Sequence, residues 1–201
     1  MKVGECMNQK LRLLKIAEEN NGIVLSKQAT DLNISRAMIK SLVNSGELNF
    51  VQRGIYVTND GYVDDFFLIG HKFKSGIFSH ETALYLLGFL DRVPNIMTMT
   101  FKHGTSTTRM RGEGVRPVMI SKNFELGEIS ILRNGSFIRV YEIERTLVDL
   151  LKPRYDTDYE QLIPALKYYA NYDKKDINKL FRYAKVFGVE EQIHRYMEVL
   201  L

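Results

Sequence analysis

The stretch NISRAMIKSLVNSGELNFVQRGIYV, residues 33–57, places the narrowest limits on the fold. Ser35 can cap a helix whose apolar face is Ile39, Leu42 and Val43, and the Asn-Ser-Gly that follows ends the helical pattern. Two short β-rich runs then flank a Gln-Arg-Gly tripeptide, which is typical of a hairpin. The stretch therefore predicts a capped helix that leads into a small β-hairpin.

Two further helices are predicted before this stretch. Apolar residues recur at roughly helical spacing over residues 8–20, and Asn21-Gly22 supplies a left-handed stop. Residues 23–25 form a strand fragment, and Ser26 is predicted to cap a second short helix. The order helix, strand, helix, turn, helix, hairpin is that of a winged helix-turn-helix domain, whose third helix lies in the DNA major groove.

After the hairpin, the pattern of apolar residues indicates a second domain. We predict α+β architecture, with an N-terminal winged helix-turn-helix followed by a mixed α/β domain that ends in a helical bundle. The expected boundaries are residues 1–60 for the DNA-binding domain, 61–75 for a connecting helix and 76–201 for a C-terminal domain. Within the last, a helix opened by Ser79 precedes strands over about 96–140 and helices over about 142–201.

Composition limits the compartment and the cofactors. With 201 residues, 45% hydrophobic and 26% charged, the chain is expected to fold throughout. It lacks the run of about 18 apolar residues that a membrane span needs and the apolar core of a signal peptide, so we expect a cytoplasmic protein. Cys6 is the only cysteine, and no metal site or cofactor is predicted. The net charge of +4 is compatible with an anionic partner but does not require one.

The predicted DNA contacts lie mainly on the third helix. No acidic residue occurs between Asn33 and Gly46, whereas an ordinary solvated helix carries both signs of charge. Basic and small polar side chains can bind phosphates or base edges. The predicted contacts on this helix are Ser35, Arg36, Ala37, Lys40, Ser41 and Asn44, joined by Arg53 on the hairpin and by Lys27, Lys10 and Lys15. The alternative is that these cations are solvated surface charges.

A second basic segment lies in the C-terminal domain. Residues 102–122 carry Lys102, Arg109, Arg111, Arg116 and Lys122 against one acid, Glu113. Such a segment can bind a nucleic-acid backbone or an acidic protein face. It is equally typical of an exposed loop between strands.

No catalytic residue is predicted. Ser79, His80 and Glu81 are adjacent, and we expect adjacent side chains at a helix start to point in different directions rather than form a relay. Glu142 and Glu144 are likewise expected on different faces of a helix. An enzyme that acts on nucleic acid or on another protein is therefore the less favoured hypothesis.

Three segments in this order resemble the AbiEi-type antitoxins of AbiE abortive-infection systems. They are GELNFVQRGIYV at residues 46–57, SHETALYLLG at 79–88 and ERTLVDLL at 144–151. The resemblance covers most of the chain. Relatives often carry a more arginine-rich hairpin tip, where this chain has only Arg53.

The resemblance implies a type IV antitoxin that takes part in phage resistance. It implies a winged helix that binds inverted repeats in its own promoter and represses a two-gene operon. It also implies a nucleotidyltransferase-like toxin as functional opponent, counteracted without a stable complex. No coiled-coil pattern is visible, which is compatible with a monomer in solution that pairs on DNA. The alternative function is a DNA-binding regulator whose C-terminal domain senses a ligand or a protein.

Overall fold

The computed structural model describes residues 3–155 and 157–200, with side chains from residue 8 onward. The side chain of Cys6, the only cysteine, therefore lies outside the described residues. The chain forms two compact units. The first comprises residues up to 68 together with 132–137, and the second comprises 69–131 and residues from 138 onward.

The first unit combines short helices with a small sheet. Its elements are α1 (Val3–Glu19), β1 (Ile23–Leu25), α2 (Ser26–Asp31), α3 (Arg36–Asn44), β2 (Asn49–Gln52) and β3 (Ile55–Val57). The strands form a three-stranded antiparallel sheet in the order β1-β3-β2. The predicted hairpin and the predicted strand fragment are thus parts of the same sheet.

Backbone chemistry sets the ends of these helices. Asn21 and Gly22 both have positive φ, 53° and 85°, as predicted for the stop after α1. A Cβ at Gly22 would lie 2.4 Å from the Cα of Gly61, so the position also requires a glycine for close approach. Ser26 does not cap α2, contrary to the prediction. It is the first helical residue, and Leu25 occupies the cap position without a side-chain hydrogen bond.

The core of the first unit is assembled from every helix of the domain. Leu13 of α1, Val24 of β1, Ala29 of α2 and Leu42 of α3 are buried in one apolar cluster with Leu48. On α3 the buried residues are Met38, Ile39 and Leu42, while Val43 is only partly buried, so Met38 takes the place predicted for Val43. The burial of one side of α3 fixes which side remains exposed.

The second unit contains most of a larger sheet and the remaining helices. Helix α4 (Asp65–Lys72) begins in the first unit and ends in the second. The elements that follow are β4 (Ile77–Phe78), α5 (His80–Leu86), β5 (Met97–Lys102), a 3-10 helix (Arg111–Glu113), β6 (Val115–Ile120), β7 (Glu128–Arg133), β8 (Ser136–Tyr141), α6 (Ile143–Leu150), α7 (Tyr159–Ala170), α8 (Ile177–Phe187) and α9 (Glu190–Leu200).

The larger sheet is mixed, with five strands in the order β6-β5-β4-β8-β7. Strand β4 pairs antiparallel with β5 and parallel with β8, and β5 pairs parallel with β6. The period-two segments predicted as strands correspond to β5 to β8. The short central strand β4 was missed, because two residues are too few for a periodic pattern. The predicted α+β class, with helices and two sheets, is confirmed.

The helices of the second unit bury a common apolar core. Leu84 of α5, Leu147 of α6, Leu166 of α7, Leu180 of α8 and Ile193 of α9 belong to one buried cluster. Helix α6 is exceptional, because every residue from Ile143 to Leu150 is buried, including its charged ones. Its polar side chains must therefore find partners within the protein.

Candidate nucleic-acid interface

One face of α3 carries the predicted contact residues. Arg36, Ala37, Lys40, Ser41 and Asn44 are all exposed. Positions 36, 40 and 44 follow each other at intervals of four, as do 37 and 41, so these side chains lie on one side of the helix. The opposite side packs into the core. The structure therefore brings the predicted recognition residues together on one surface.

Ser35 holds the start of α3 in place. Its Oγ accepts a hydrogen bond from the Met38 amide at 3.2 Å, which confirms the predicted cap. Gln9 Oε1 of α1 accepts hydrogen bonds from both the backbone amide and the hydroxyl of Ser35, each at 3.2 Å. The hydroxyl that was predicted as a DNA contact thus also joins α1 to α3.

The cations around this face are available for an external partner. Within the described residues, Arg36, Lys40, Lys27 and Arg53 form no ion pair, and all are exposed. A long cationic side chain with no internal partner keeps its charge in solvent, where it can attract phosphates. The face of α3 is consequently positive and open.

Lys10, a predicted DNA contact, forms an ion pair within the first unit. Its Nζ lies 2.6 Å from Glu47 Oε2, immediately after α3 in the chain. Hydrogen bonds from Lys10 and Ser45 lower the pKa of Glu47. Lys10 therefore balances the charge of Glu47, the carboxylate that follows the acid-free stretch. Lys15 stays a predicted contact and forms an exposed pair with Glu19 at 4.0 Å.

The hairpin presents one cation and one ring. Arg53 lies at the turn between β2 and β3, beside Gly54 with φ of 85°. Phe50 on β2 is 60% exposed and contacts the edge of Tyr56 at a centroid distance of 5.8 Å. Phe50 was missed from the sequence, because an aromatic residue in a strand is more often buried. Its exposure gives the hairpin an apolar surface in addition to the cation Arg53.

The comparison with protein families concerns this same part of the chain. Residues 11–59 match a family model described as "Transcriptional regulator, AbiEi antitoxin". This segment, called the AbiEi segment, is similar to that family. The predicted resemblance is thereby confirmed, and the AbiEi segment contains α3 and both hairpin strands. The match supports a role as an antitoxin and transcriptional regulator. No curated protein matches the chain.

A solved structure shares the fold. The crystal structure of RV2827C protein from Mycobacterium tuberculosis superposes with a TM-score of 0.55 at 14% sequence identity. The likeness covers 92% of this chain and 79% of that one, so it extends well beyond the AbiEi segment. Among the described residues, no helix is long and apolar enough to cross a membrane. Nor do the described His, Cys, Asp and Glu residues form a group of three or more that could hold a metal ion.

The cations of the basic segment, residues 102–122 of the second unit, differ in their partners and exposure. Lys102 pairs with Glu125 at 2.5 Å, and Arg116 donates to Glu81 at 3.2 Å while covering the ring of Tyr155. Arg109, Arg111 and Lys122 are exposed, and within the described residues none of them has an ion pair. The candidate surface outside the AbiEi segment is therefore reduced to these three cations.

Ser79 and His80 contradict the expectation that adjacent residues cannot interact here. His80 Nδ1 lies 2.9 Å from Ser79 Oγ, and both side chains are buried. This contact arises because His80 has φ of 54°, a left-handed conformation that turns its ring back toward Ser79. Glu81 instead accepts from Arg116 and Tyr155. Ser79 precedes α5 without a side-chain cap hydrogen bond.

Glu142 and Glu144 also converge, contrary to the expectation of separate faces. Lys179 Nζ of α8 donates to Glu142 Oε2 at 2.9 Å and to Glu144 Oε2 at 3.5 Å. Glu142 precedes the first residue of α6, so helical spacing does not apply to the pair. Tyr183 and Tyr169 donate to the same two carboxylates. These acids are partners in a structural network rather than a free catalytic pair.

Proposed function

We propose that the protein is a DNA-binding repressor of its own toxin-antitoxin operon and the antitoxin of that system. The observation that carries this proposal is the exposed, acid-free face of α3 within the AbiEi segment. In this proposal the first unit acts as a winged helix-turn-helix, with α3 in the major groove and the β2–β3 hairpin as the wing. The protein acts in the cytoplasm on inverted repeats in its own promoter.

The α3 face supplies the two kinds of contact that a DNA site needs. Arg36 and Lys40 bind phosphates or guanine edges, and Asn44 can pair with adenine. Ala37 leaves room for close approach of the helix to the base edges. Lys27 and Arg53 add phosphate contacts on either side of α3. Operator repeats bind two copies of a chain that is a monomer in solution.

The toxin-directed role is proposed for the second unit. We propose a type IV arrangement in abortive infection and phage resistance, in which a nucleotidyltransferase-like toxin is counteracted without a stable complex. The exposed cations Arg109, Arg111 and Lys122 are the proposed surface for this role. They support it because an acidic protein face or a nucleic acid that the toxin uses would be attracted to them.

A mobility-shift titration on the DNA upstream of the gene, at two salt concentrations, tests the repressor proposal. Arg36→Ala and Lys40→Ala are each expected to weaken binding by about 1–3 kcal/mol for a base contact or to lower the salt slope by about 1 for a phosphate contact. Lys185→Ala, which removes an exposed cation of α8, is the control and should bind normally. Operator binding that is unaffected by either α3 change would refute the interface.

A toxin-rescue assay tests the division of roles between the units. The full-length double variant Arg36→Ala/Lys40→Ala should still protect cells that express the toxin from a separate promoter, because its second unit is unchanged. Arg109→Ala/Arg111→Ala should lose protection but keep operator binding. Loss of rescue in the α3 variant at an equal protein level would place the antitoxin activity in the first unit instead.

A further inference from the structure

A cavity of about 390 Å³ lies in the second unit, among α5, β6 and the segment after α6. Residues 118–120 of β6 and the ring of Tyr155 form its apolar wall. Its polar groups include His80, Thr100, the carboxylate of Asp149 and the cations Lys122, Lys152 and Arg154. A cavity of this size can hold a small molecule.

His80 is held in this cavity in a costly conformation. His80 has φ of 54°, and residues with such a left-handed backbone persist where the surrounding structure fixes them, often at functional sites. Its ring is 2% exposed and stacks on Tyr155 at a centroid distance of 3.8 Å. The backbone strain and the ring packing together fix the imidazole in the cavity wall.

The hydrogen bonds around Ser79 favour one tautomer of His80. Thr100 Oγ1 donates to Ser79 Oγ at 2.9 Å, and His80 Nδ1 lies 2.9 Å from the same oxygen, so we assign the Ser79 hydroxyl hydrogen to the bond with Nδ1. Burial lowers the pKa of His80 to about 4, so the ring is neutral at pH 7. With this assignment, the N–H of His80 at Nε2 is the donor that we assign to an occupant of the cavity.

The charge in the cavity is unbalanced toward positive. Asp149 is fully engaged, because it accepts from Arg145 Nε at 2.9 Å and also from Lys152. Lys122 and Arg154 are exposed, and neither forms an ion pair in the described part of the chain. Among the described residues, these two cations are therefore the ones assigned to a ligand, beside the neutral ring of His80.

We infer that this cavity binds a small phosphorylated molecule, a phosphomonoester no larger than a mononucleotide. A phosphomonoester carries close to two negative charges at pH 7 and three acceptor oxygens, which match the exposed cations Lys122 and Arg154 and an N–H donor. The organic part of the ligand lies against Met119 and Tyr155. The site belongs to the second unit, and its inference does not rest on DNA binding.

Isothermal titration of the full-length protein tests the inference. Ribose 5-phosphate and adenosine 5′-monophosphate are the probes, with ribose and adenosine as uncharged partners, all at constant ionic strength. At least one phosphorylated probe should bind with one-to-one stoichiometry, and its uncharged partner should not. Lys122→Gln and Arg154→Gln should each weaken binding by about tenfold, the loss expected for one charge-assisted hydrogen bond.

Three variants keep the result specific. Lys174→Gln removes an exposed cation away from the cavity and should bind normally. His80→Asn keeps a residue type that tolerates positive φ while removing the imidazole, and it should also weaken binding. Arg36→Ala/Lys40→Ala should bind the probe as the wild type does. The inference is overturned if neither probe binds at millimolar concentration, if the cavity variants bind normally, or if the α3 variant alone loses binding.

Discussion

Helices α3 and α6 use charged residues in opposite ways. On α3, Arg36 and Lys40 are exposed and have no ion pair within the described residues. On α6, Glu144, Arg145 and Asp149 are buried and bonded to other parts of the second unit. A charge in solvent costs little and is free for a partner, whereas a buried charge must be matched inside the protein. Removing a charge should therefore impair function in α3 and stability in α6.

Removal of the buried charge of Arg145 is expected to cause the largest loss of stability. Its guanidinium donates to Asp149 and to the carbonyl oxygens of Asn123 and Leu126, and it lies between the rings of Tyr141 and Phe187. Arg145→Met leaves the Asp149 carboxylate buried with one partner fewer. We expect a loss of about 3–5 kcal/mol in the free energy of unfolding of the second unit, measured by urea titration with circular dichroism.

Arg182 supplies the matched control for this change. It is exposed on α8, so Arg182→Met should alter the free energy of unfolding by no more than about 0.5 kcal/mol. Equal effects of the two variants would show that the buried arrangement of Arg145 contributes nothing. If both variants lost stability equally, unchanged hydrogen exchange of the α6 amides would show that the loss arises outside this helix.

A smaller loss of stability is expected when the pH is lowered and His80 binds a proton. Burial is the main cause of its low pKa, and the nearby charges of Asp149, Lys152 and Arg116 modify it. The unfolded chain binds a proton near pH 6.5 and the folded one only near pH 4, so stability is lost as the pH falls from 6.5 to 4. The loss is of order 3 kcal/mol at 1.36 kcal/mol per pH unit.

The variant His80→Asn isolates this contribution from that of the carboxylates. Its unfolding free energy, measured by urea titration between pH 7 and pH 4, should fall less steeply than that of the wild type. Both proteins retain the same acidic residues, so the difference in slope reports His80 alone. Parallel slopes would mean that the imidazole is already solvated in the folded protein.

The smallest predicted loss of stability concerns two serines, Ser35 and Ser26, that were both predicted to cap helices. Ser35 accepts from the Met38 amide, whereas Ser26 has no side-chain cap hydrogen bond. Ser35→Ala should destabilise the first unit by about 1 kcal/mol in thermal unfolding. Ser26→Ala should leave it within about 0.5 kcal/mol of the wild type. A loss at Ser26 as large as that at Ser35 would contradict the observed start of α2.

Local patterns predicted the parts of the protein in which each residue depends on its near neighbours. The stop at Asn21-Gly22, the Ser35 cap and the exposed face of α3 all follow from helical spacing and backbone preference. The strands β5 to β8 follow from period-two alternation. Strand β4 could not be found in this way, because its two residues become a strand only through the neighbours β5 and β8.

The wrong predictions concern residues that are far apart in the sequence and contact each other in the fold. Helical geometry suggested that Glu142 and Glu144 diverge, yet Lys179 from α8 draws them together. Ser79 was expected to cap a helix. Instead, the positive φ of His80 places its imidazole beside the Ser79 hydroxyl, which also accepts a hydrogen bond from Thr100. A sequence pattern records spacing along the chain and contains no direct sign of a partner that lies 20 or more residues away.

The amphipathic helix α3, its cap and the charge of its outer face follow from the amino-acid sequence alone, because these depend on side chains within a few residues of one another. The burial of α6 with its charges, and the cavity beside it, depend on long-range packing that local patterns do not contain. The reason is that a buried charge is stable only beside partners that folding brings from elsewhere in the chain. Arg145, which is held by carbonyl groups at positions 123 and 126, shows this dependence directly.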